Sequence, residues 1–285
     1  MDFKRSTALF LTWVIATGAT GDLFGQSAYP VPEKSLTITP SYSFSTYDRF
    51  KNSNRRSVTL RNAAGISAVE EHSFSIAAEY GITEDLTADL TMGYVNSTIE
   101  QGRVRGKKTS DGLDDTLLGV RYRFIDEAKY EGIWIPTMSV RLGAVLPGTY
   151  ETALIHSPGE GAFGMSYSLL VGSYLEKIEA GYYGDINFLL RESVPDLFNG
   201  RFGIYKVFLD NFSVFFGYQR VQSLSGSDLG QGTFRDLKEV VDLIEYGFTF
   251  TDPDGRSYSI GASNVLDGKN TAESYSINAS ASFPF

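Results

Sequence analysis

The 285-residue chain contains no cysteine, which excludes a disulfide-stapled scaffold and a thiolate metal site. Histidine is almost absent too. His72 and His156 stand alone, too few for a histidine-built metal centre. Excess positive charge is missing: the formal net charge is −9, which argues against general nucleic-acid binding. Long hydrophobic runs are missing as well. The longest, ALFLTWVIATGA (8–19), falls short of the roughly 20 residues a membrane-spanning helix needs. It follows Lys4 and Arg5 and precedes small residues, with GQS (25–27) or Ala19 as cleavage points. That layout predicts a secretory signal peptide over 1–27 and an exported domain over 28–285.

What the chain does have favours strands. Aromatics make up 14%, with 17 Tyr and 20 Phe, and there are 29 Gly. Tyr and Phe suit a pleated, half-buried surface, and Gly serves turns and tight curvature. Hydrophobic residues at 42% and charged residues at 21% exclude a disordered chain.

Period-two segments recur along the whole exported part. LTITPSYSFSTY (36–47) places Leu36, Ile38, Tyr42 and Phe44 on one face and Thr and Ser on the other. Eleven more such segments follow: 73–82, 86–95, 115–124, 134–146, 163–175, 178–190, 201–209, 212–224, 240–250, 257–266 and 273–285. Their connections alternate between short and long. This rhythm predicts an up-and-down antiparallel transmembrane β-barrel of twelve strands, with tight turns at one rim and loops at the other. An even strand number puts both termini on the short-turn side, expected to be the periplasm. Segment lengths near 9–11 residues suit a tilted strand crossing a bilayer. The apolar face points to lipid, and the Ser, Thr, Gly and charged face points inward. Tyr80, Tyr94, Tyr122, Phe124, Trp134, Tyr167 and Phe188 fit interfacial aromatic girdles.

The last segment, ESYSINASASFPF, must pair with the first, because an open sheet edge in lipid would leave backbone groups unsatisfied. In its alternation and final Phe it resembles the closing strand of bacterial outer-membrane barrels generally. That resemblance implies that Phe283 and Phe285 signal to the barrel assembly machinery. A narrower resemblance lies in SDGLDDTLLGVRYRF (110–124) and VLPGTYET (145–152). These are similar to outer-membrane proteins grouped under a phenol-degradation (meta-cleavage) pathway. Asp114 stands where that group has a second Gly, and the Thr of its Leu-Pro-Thr-Gly-like loop is missing. The resemblance implies a barrel that passes small aromatic compounds.

Parity along the strands predicts lumen-facing charges at Glu79, Asp89, Arg121, Arg123, Arg141, Glu179, Asp185 and Glu245. These form either a constriction that selects solutes or a salt-bridge network that fills a narrow barrel. Parity is unresolved for 201–209 and 212–224, so Lys206 and Arg220 are unplaced. The first two long loops are basic, with Arg49, Lys51, Arg55, Arg56 and Arg61, then Arg103, Arg105, Lys107 and Lys108; they suit anionic lipid headgroups or simply water. Outer-membrane enzymes offer no matching pattern: Phe74 and Pro158 stand where a His-x-Ser motif needs Ser, and no Asp stands two residues before either His. No catalytic residue, cofactor or metal is assigned. The expected function is passage of small, hydrophobic or aromatic solutes. The competing class is a non-transporting barrel whose loops bind envelope lipid or a partner.

Overall fold

The computed structural model describes residues 27–99, 109–130, 135–152, 157–209, 211–228, 231 and 236–285. The expected signal peptide over 1–27, Trp134, His156 and the basic residues of the second loop lie outside them, except for Ser27.

Twelve antiparallel strands close into one barrel. They are β1 (Leu36–Tyr47), β2 (Val69–Gly81), β3 (Leu86–Ile99), β4 (Thr109–Leu113 and Thr116–Ile125), β5 (Thr137–Leu146), β6 (Gly164–Leu175), β7 (Ala180–Arg191), β8 (Leu197–Phe208), β9 (Phe212–Ser223), β10 (Val240–Thr251), β11 (Ser257–Lys269) and β12 (Tyr275–Pro284). Each strand pairs with its chain neighbours, and β12 returns to β1 through partners such as Phe44↔Ile277 and Thr37↔Pro284. The backbone of Phe285 adds two hydrogen bonds to Leu36. Closure satisfies the edges, as a sheet in lipid requires. Among the described residues no helix is long and apolar enough to cross a membrane; crossing here would fall to strands.

The two faces decide what surrounds the barrel. Outward side chains such as Phe74, Met92, Leu142, Ile186, Phe202 and Phe216 are exposed, whereas inward Thr, Ser, Asn, Asp, Glu and Arg are buried. Tyr80, Tyr94, Tyr122, Phe124, Tyr167 and Phe188 all lie on the exposed outer face. A continuous apolar exterior far exceeds the patches a soluble monomer tolerates. It is the reverse of a water-soluble barrel, whose apolar side faces in.

The start of β1 and the end of β12 lie at the short-turn end. The loop alternation is looser than the sequence suggests. β8 begins at Leu197, because Leu197, Phe198 and Asn199 pair with Leu189, Phe188 and Asn187 of β7. Only 192–196 then remain at the long-loop end, whereas the connection from β4 to β5 takes 126–136 at the other. The first long loop is not a bare basic tail. Its strands Arg49–Lys51 and Ser57–Thr59 join Thr271–Ala272 in a small sheet, and the short helix α1 (Leu60–Ala64) follows. Leu60, Ile66, Val69 and Ile99 make an apolar cluster there, with Tyr47 and Phe50 packed against it.

Candidate functional site: the barrel lumen

The lumen has three levels. At the short-turn end the segment 27–35 folds back inside. Tyr29 and Val31 are buried. Tyr29 donates from its hydroxyl to Glu127 Oε1 at 2.6 Å, Val31 N donates to Thr87 Oγ1 at 3.1 Å, and Ser139 Oγ donates to the Ala28 carbonyl at 2.5 Å. Two glycines make room. A Cβ on Gly81 would sit 2.0 Å from the Pro32 carbonyl oxygen, and one on Gly172 would sit 2.9 Å from the Tyr29 ring. Beside this segment Tyr183, Tyr205, Val207 and Phe215 form an apolar cluster inside the barrel. Tyr205 lies over Gly181, Tyr183 over Gly203 and Phe215 over Gly247. This is why parity is unreadable on β8 and β9: both faces carry large apolar groups at this end.

The middle level is a charge layer. Arg121 Nη2 donates to Glu79 Oε1 at 2.9 Å. Arg141 grips Asp89 through Nε and Nη2, the latter at 2.5 Å, and donates from Nη1 to Ser166 at 3.0 Å. Arg201 clasps Glu245 through Nε at 2.6 Å and Nη2 at 2.8 Å. Its guanidinium also sits over the Tyr183 ring at 5.0 Å, and Tyr183 donates to Glu245 at 2.9 Å. Glycines at 119 and 143 leave space for Arg141, whose Nη2 and Nη1 would be 2.3 and 2.5 Å from an added Cβ at each. Asp185 lies buried opposite Arg201 in the register of β7 and β8.

The structure thus gathers Glu79, Asp89, Arg121, Arg141, Asp185 and Glu245 inside the barrel. Two other residues read from parity behave differently. Arg123 sits at the rim and clamps the turns, donating to Asp85 at 2.7 Å and pairing with Asp126 at 3.3 Å. Glu179 corrects the parity reading: β7 starts at Ala180, and Glu179 ends a 3-10 turn with φ +50° and an exposed side chain. A strand's alternation does not continue through that left-handed residue. Arg201 was missed; once its strand is placed, its alternation with Phe202 and Ile204 turns it inward. Lys206 and Arg220 fall on the outer face, Lys206 on the Ile178 carbonyl and Arg220 on Asp242 at 3.1 Å. His72 is exposed, bonded to the Tyr42 hydroxyl at 2.7 Å. Phe283 meets the Tyr258 ring edge-on at 6.4 Å, and Phe285 is exposed.

The upper level is a cavity of about 520 Å³. One wall is apolar: Leu117, Val145 and Leu189 form a buried cluster with Leu197 against it. The rest is acidic. Glu71, Asp114, Asp115, Glu160 and Glu239 line it, against Arg191 as the single cation among the described residues. Asp114 and Asp115 stand in a one-residue bulge between the two halves of β4. The two stretches singled out in the sequence hold this bulge together. Gly148 N and the Tyr150 hydroxyl donate to Asp115 Oδ1 at 2.8 and 2.9 Å, and Leu113 exchanges bonds with Thr149. Gly148 is needed at this contact, since a Cβ would lie 2.2 Å from the Leu113 carbonyl oxygen. Above, Lys51 and Arg55 of the first loop are engaged by Asp267, and Lys51 also by Glu273. Their charge is therefore largely matched within the chain.

No protein-family model and no curated protein matches this sequence. Solved structures do. The COG4313 outer membrane channel from Pseudomonas putida F1 superposes with a TM-score of 0.72 at 11% identity, over 90% of this chain and 98% of that one. The translocator domain of the autotransporter NalP from Neisseria meningitidis gives 0.49 at 11% identity, over 88% of each chain. The Pseudomonas putida toluene transporter TodX gives 0.42 at 11%, over 89% and 90%. The last two fall too low to bear on the argument. The first shows that this chain has the fold of an outer-membrane channel.

Proposed function

We propose that the protein is an outer-membrane channel for small hydrophobic or aromatic solutes, which rest in the upper cavity on their way through the barrel. The observation that carries this is the cavity with its apolar wall, set inside a barrel whose exterior suits lipid. Ligand sites are typically concave, largely apolar and supplied with a few polar groups. The shared fold with a known outer-membrane channel supports the reading. So does the likeness of 110–124 and 145–152 to the aromatic-pathway group, since those stretches build the cavity rim. The filled lower lumen speaks against a wide, water-filled pore. Passage then requires the segment 27–35 or the charge layer to move. In this reading the long loops face the exterior, both termini face the periplasm, and the β12 strand with Phe283 and Phe285 addresses the assembly machinery. The protein has no catalytic role.

Uptake of a fluorescent aromatic probe by intact cells tests the proposal. Cells making the wild-type barrel should accumulate the probe several-fold faster than cells making Val145→Trp, which fills the cavity. Equal rates, with both proteins folded in the outer membrane, would refute it.

A further inference from the structure

Below the apolar wall, four buried side chains on three neighbouring strands each keep one polar atom without a hydrogen-bond partner among the described residues. They are Asp185 Oδ2, Asn187 Oδ1, Asn199 Nδ2 and Gln219 Oε1. Each of these residues is no more than 5% exposed. Their register makes them one patch. Asp185 faces Arg201, Arg201 faces Gln219, and Asn187 faces Asn199 one step further up. Asn187 and Gln219 have spent one amide atom each, on Ser168 at 2.6 Å and on Asn199 at 3.0 Å. Asp185 Oδ2 has no partner among the described residues. Buried polar groups normally find partners, so a group of orphans in one place calls for a ligand or water.

The chemistry of the orphans is one-sided. Three are acceptors and one is a donor, and one acceptor is a carboxylate. The charge balance is one-sided too. In the middle layer Arg121, Arg141 and Arg201 each hold a carboxylate of their own. Asp185 is the fourth acid. Arg201 lies beside it, yet two nitrogens of that guanidinium already hold Glu245. Arg201, Glu245 and Asp185 together leave one negative charge. The cavity above adds, among the described residues, five acids against Arg191. At about 3.3 Å per residue, Asn187 lies about 7 Å below Leu189 and Asp185 about 13 Å below it. The patch thus lies below the Leu189–Leu197 wall within the length of a small amphiphile.

We propose that the lumen patch of Asp185, Asn187, Asn199 and Gln219 is a head-group site for a protonated amine whose apolar body lies along the Leu117–Val145–Leu189–Leu197 wall. The ammonium supplies three N–H donors to the three orphan acceptors, and its charge balances Asp185. A hydroxyl beside the amine would meet Asn199. The inference rests on the channel reading and narrows it to cationic amphiphiles.

Calorimetric titration of the purified full-length barrel in non-ionic detergent separates the two. The probes are octylammonium, octanol and octyl sulfate. Octylammonium should bind at least 10-fold more tightly than octanol, and octyl sulfate more weakly than either. Asp185→Asn should lower octylammonium affinity 10-fold or more and leave octanol unchanged. Asn187→Leu and Gln219→Leu, which keep every charge, should each weaken octylammonium several-fold and serve if Asp185→Asn does not fold. Equal binding of octanol and octylammonium would overturn the amine site and leave the apolar channel standing. Absence of binding by all three probes would overturn both.

Discussion

Arg121 is among the largest fully buried side chains of the molecule, and its Nε and Nη1 have no hydrogen-bond partner among the described residues. Glu79 faces it, and Glu79 and Asp89 stand directly opposite each other on β2 and β3. Taking Arg121 away leaves those two carboxylates with Arg141 alone. Stranding a buried charge costs about 3–5 kcal/mol, more than the intact pair contributes over an apolar replacement. Arg121→Met should therefore lower the heat-unfolding midpoint, read as the gel-mobility shift of the boiled barrel. Adding Glu79→Gln should restore much of the loss; a double variant as weak as the single one would show that the ion pair is not the cause. Glu239 makes a second residue-scale prediction. Burial, helped by Glu160, pushes its carboxyl up to about 7, while a hydrogen bond with Thr271 and the Arg191 charge pull the other way. Below pH 7 the group is neutral and above it is charged. A cation bound in the patch below the cavity favours the charged form through space, so octylammonium affinity should rise modestly between pH 6 and pH 8 and then level off. Glu239→Gln should flatten that rise.

Among the elements, the segment 27–35 controls the short-turn end. Its anchor is the hydrogen bond from Tyr29 to Glu127 in the turn between β4 and β5. Burial raises the Glu127 carboxyl above its ordinary value, against the bonds from Tyr29, Ser173 and Tyr174 that lower it. A carboxyl raised by docking favours the docked state while protonated. Docking should thus be strongest near or below the ordinary carboxylate pKa of about 4.5 and weaken as pH rises through the raised value. Tyr29→Phe removes a donor from a part-buried carboxylate and should cost docking about 1 kcal/mol at neutral pH. The measurement is the reaction rate of an Ala28→Cys thiol, clean in a chain without cysteine. Faster labelling is expected in the Tyr29→Phe background and at higher pH after correction for thiol ionisation. Unchanged rates would mean that the anchor lies elsewhere. The bulge in β4 is the second controlling element. It turns Asp114 and Asp115 into the cavity, where an uninterrupted ladder would have continued with regular alternation.

At the scale of the whole molecule, closure and an exterior of Leu, Ile, Val, Phe and Tyr fix a membrane setting, and the proposed orientation follows from the loops. Cysteine placed at Arg55, in the first long loop, should react with an impermeant reagent on intact cells. Cysteine at Glu84, in the first short turn, should react only after the cells are opened. The opposite pattern would invert the barrel. The fold also separates two tasks along one axis: ion pairs and aromatic rings fill the lower lumen, and the cavity occupies the upper. A barrel of twelve strands stands between narrow, side-chain-filled barrels and wide, open ones, and this one is filled at one depth and holds a cavity at another.

The alternation of apolar and polar residues, with its turn punctuation, was enough to determine strand number, strand order and which face meets lipid. Those properties are local or follow from neighbour pairing, so a one-dimensional pattern carries them. Glu79, Asp89, Arg121, Arg141, Asp185 and Glu245 were legible for the same reason: each interrupts an otherwise apolar or small-residue strand. Who pairs with whom was not. Arg141 rather than Arg123 takes Asp89, and Arg201, on a strand with two apolar faces, takes Glu245; these depend on stagger and on glycines that admit a side chain from across the lumen. The acidic cavity was hidden more deeply. Glu71, Asp114, Asp115, Glu160 and Glu239 come from β2, the β4 bulge and two loops, and only closure of the barrel brings them to one apolar wall. Local periodicity sets a residue's face; the ring of strands sets its company.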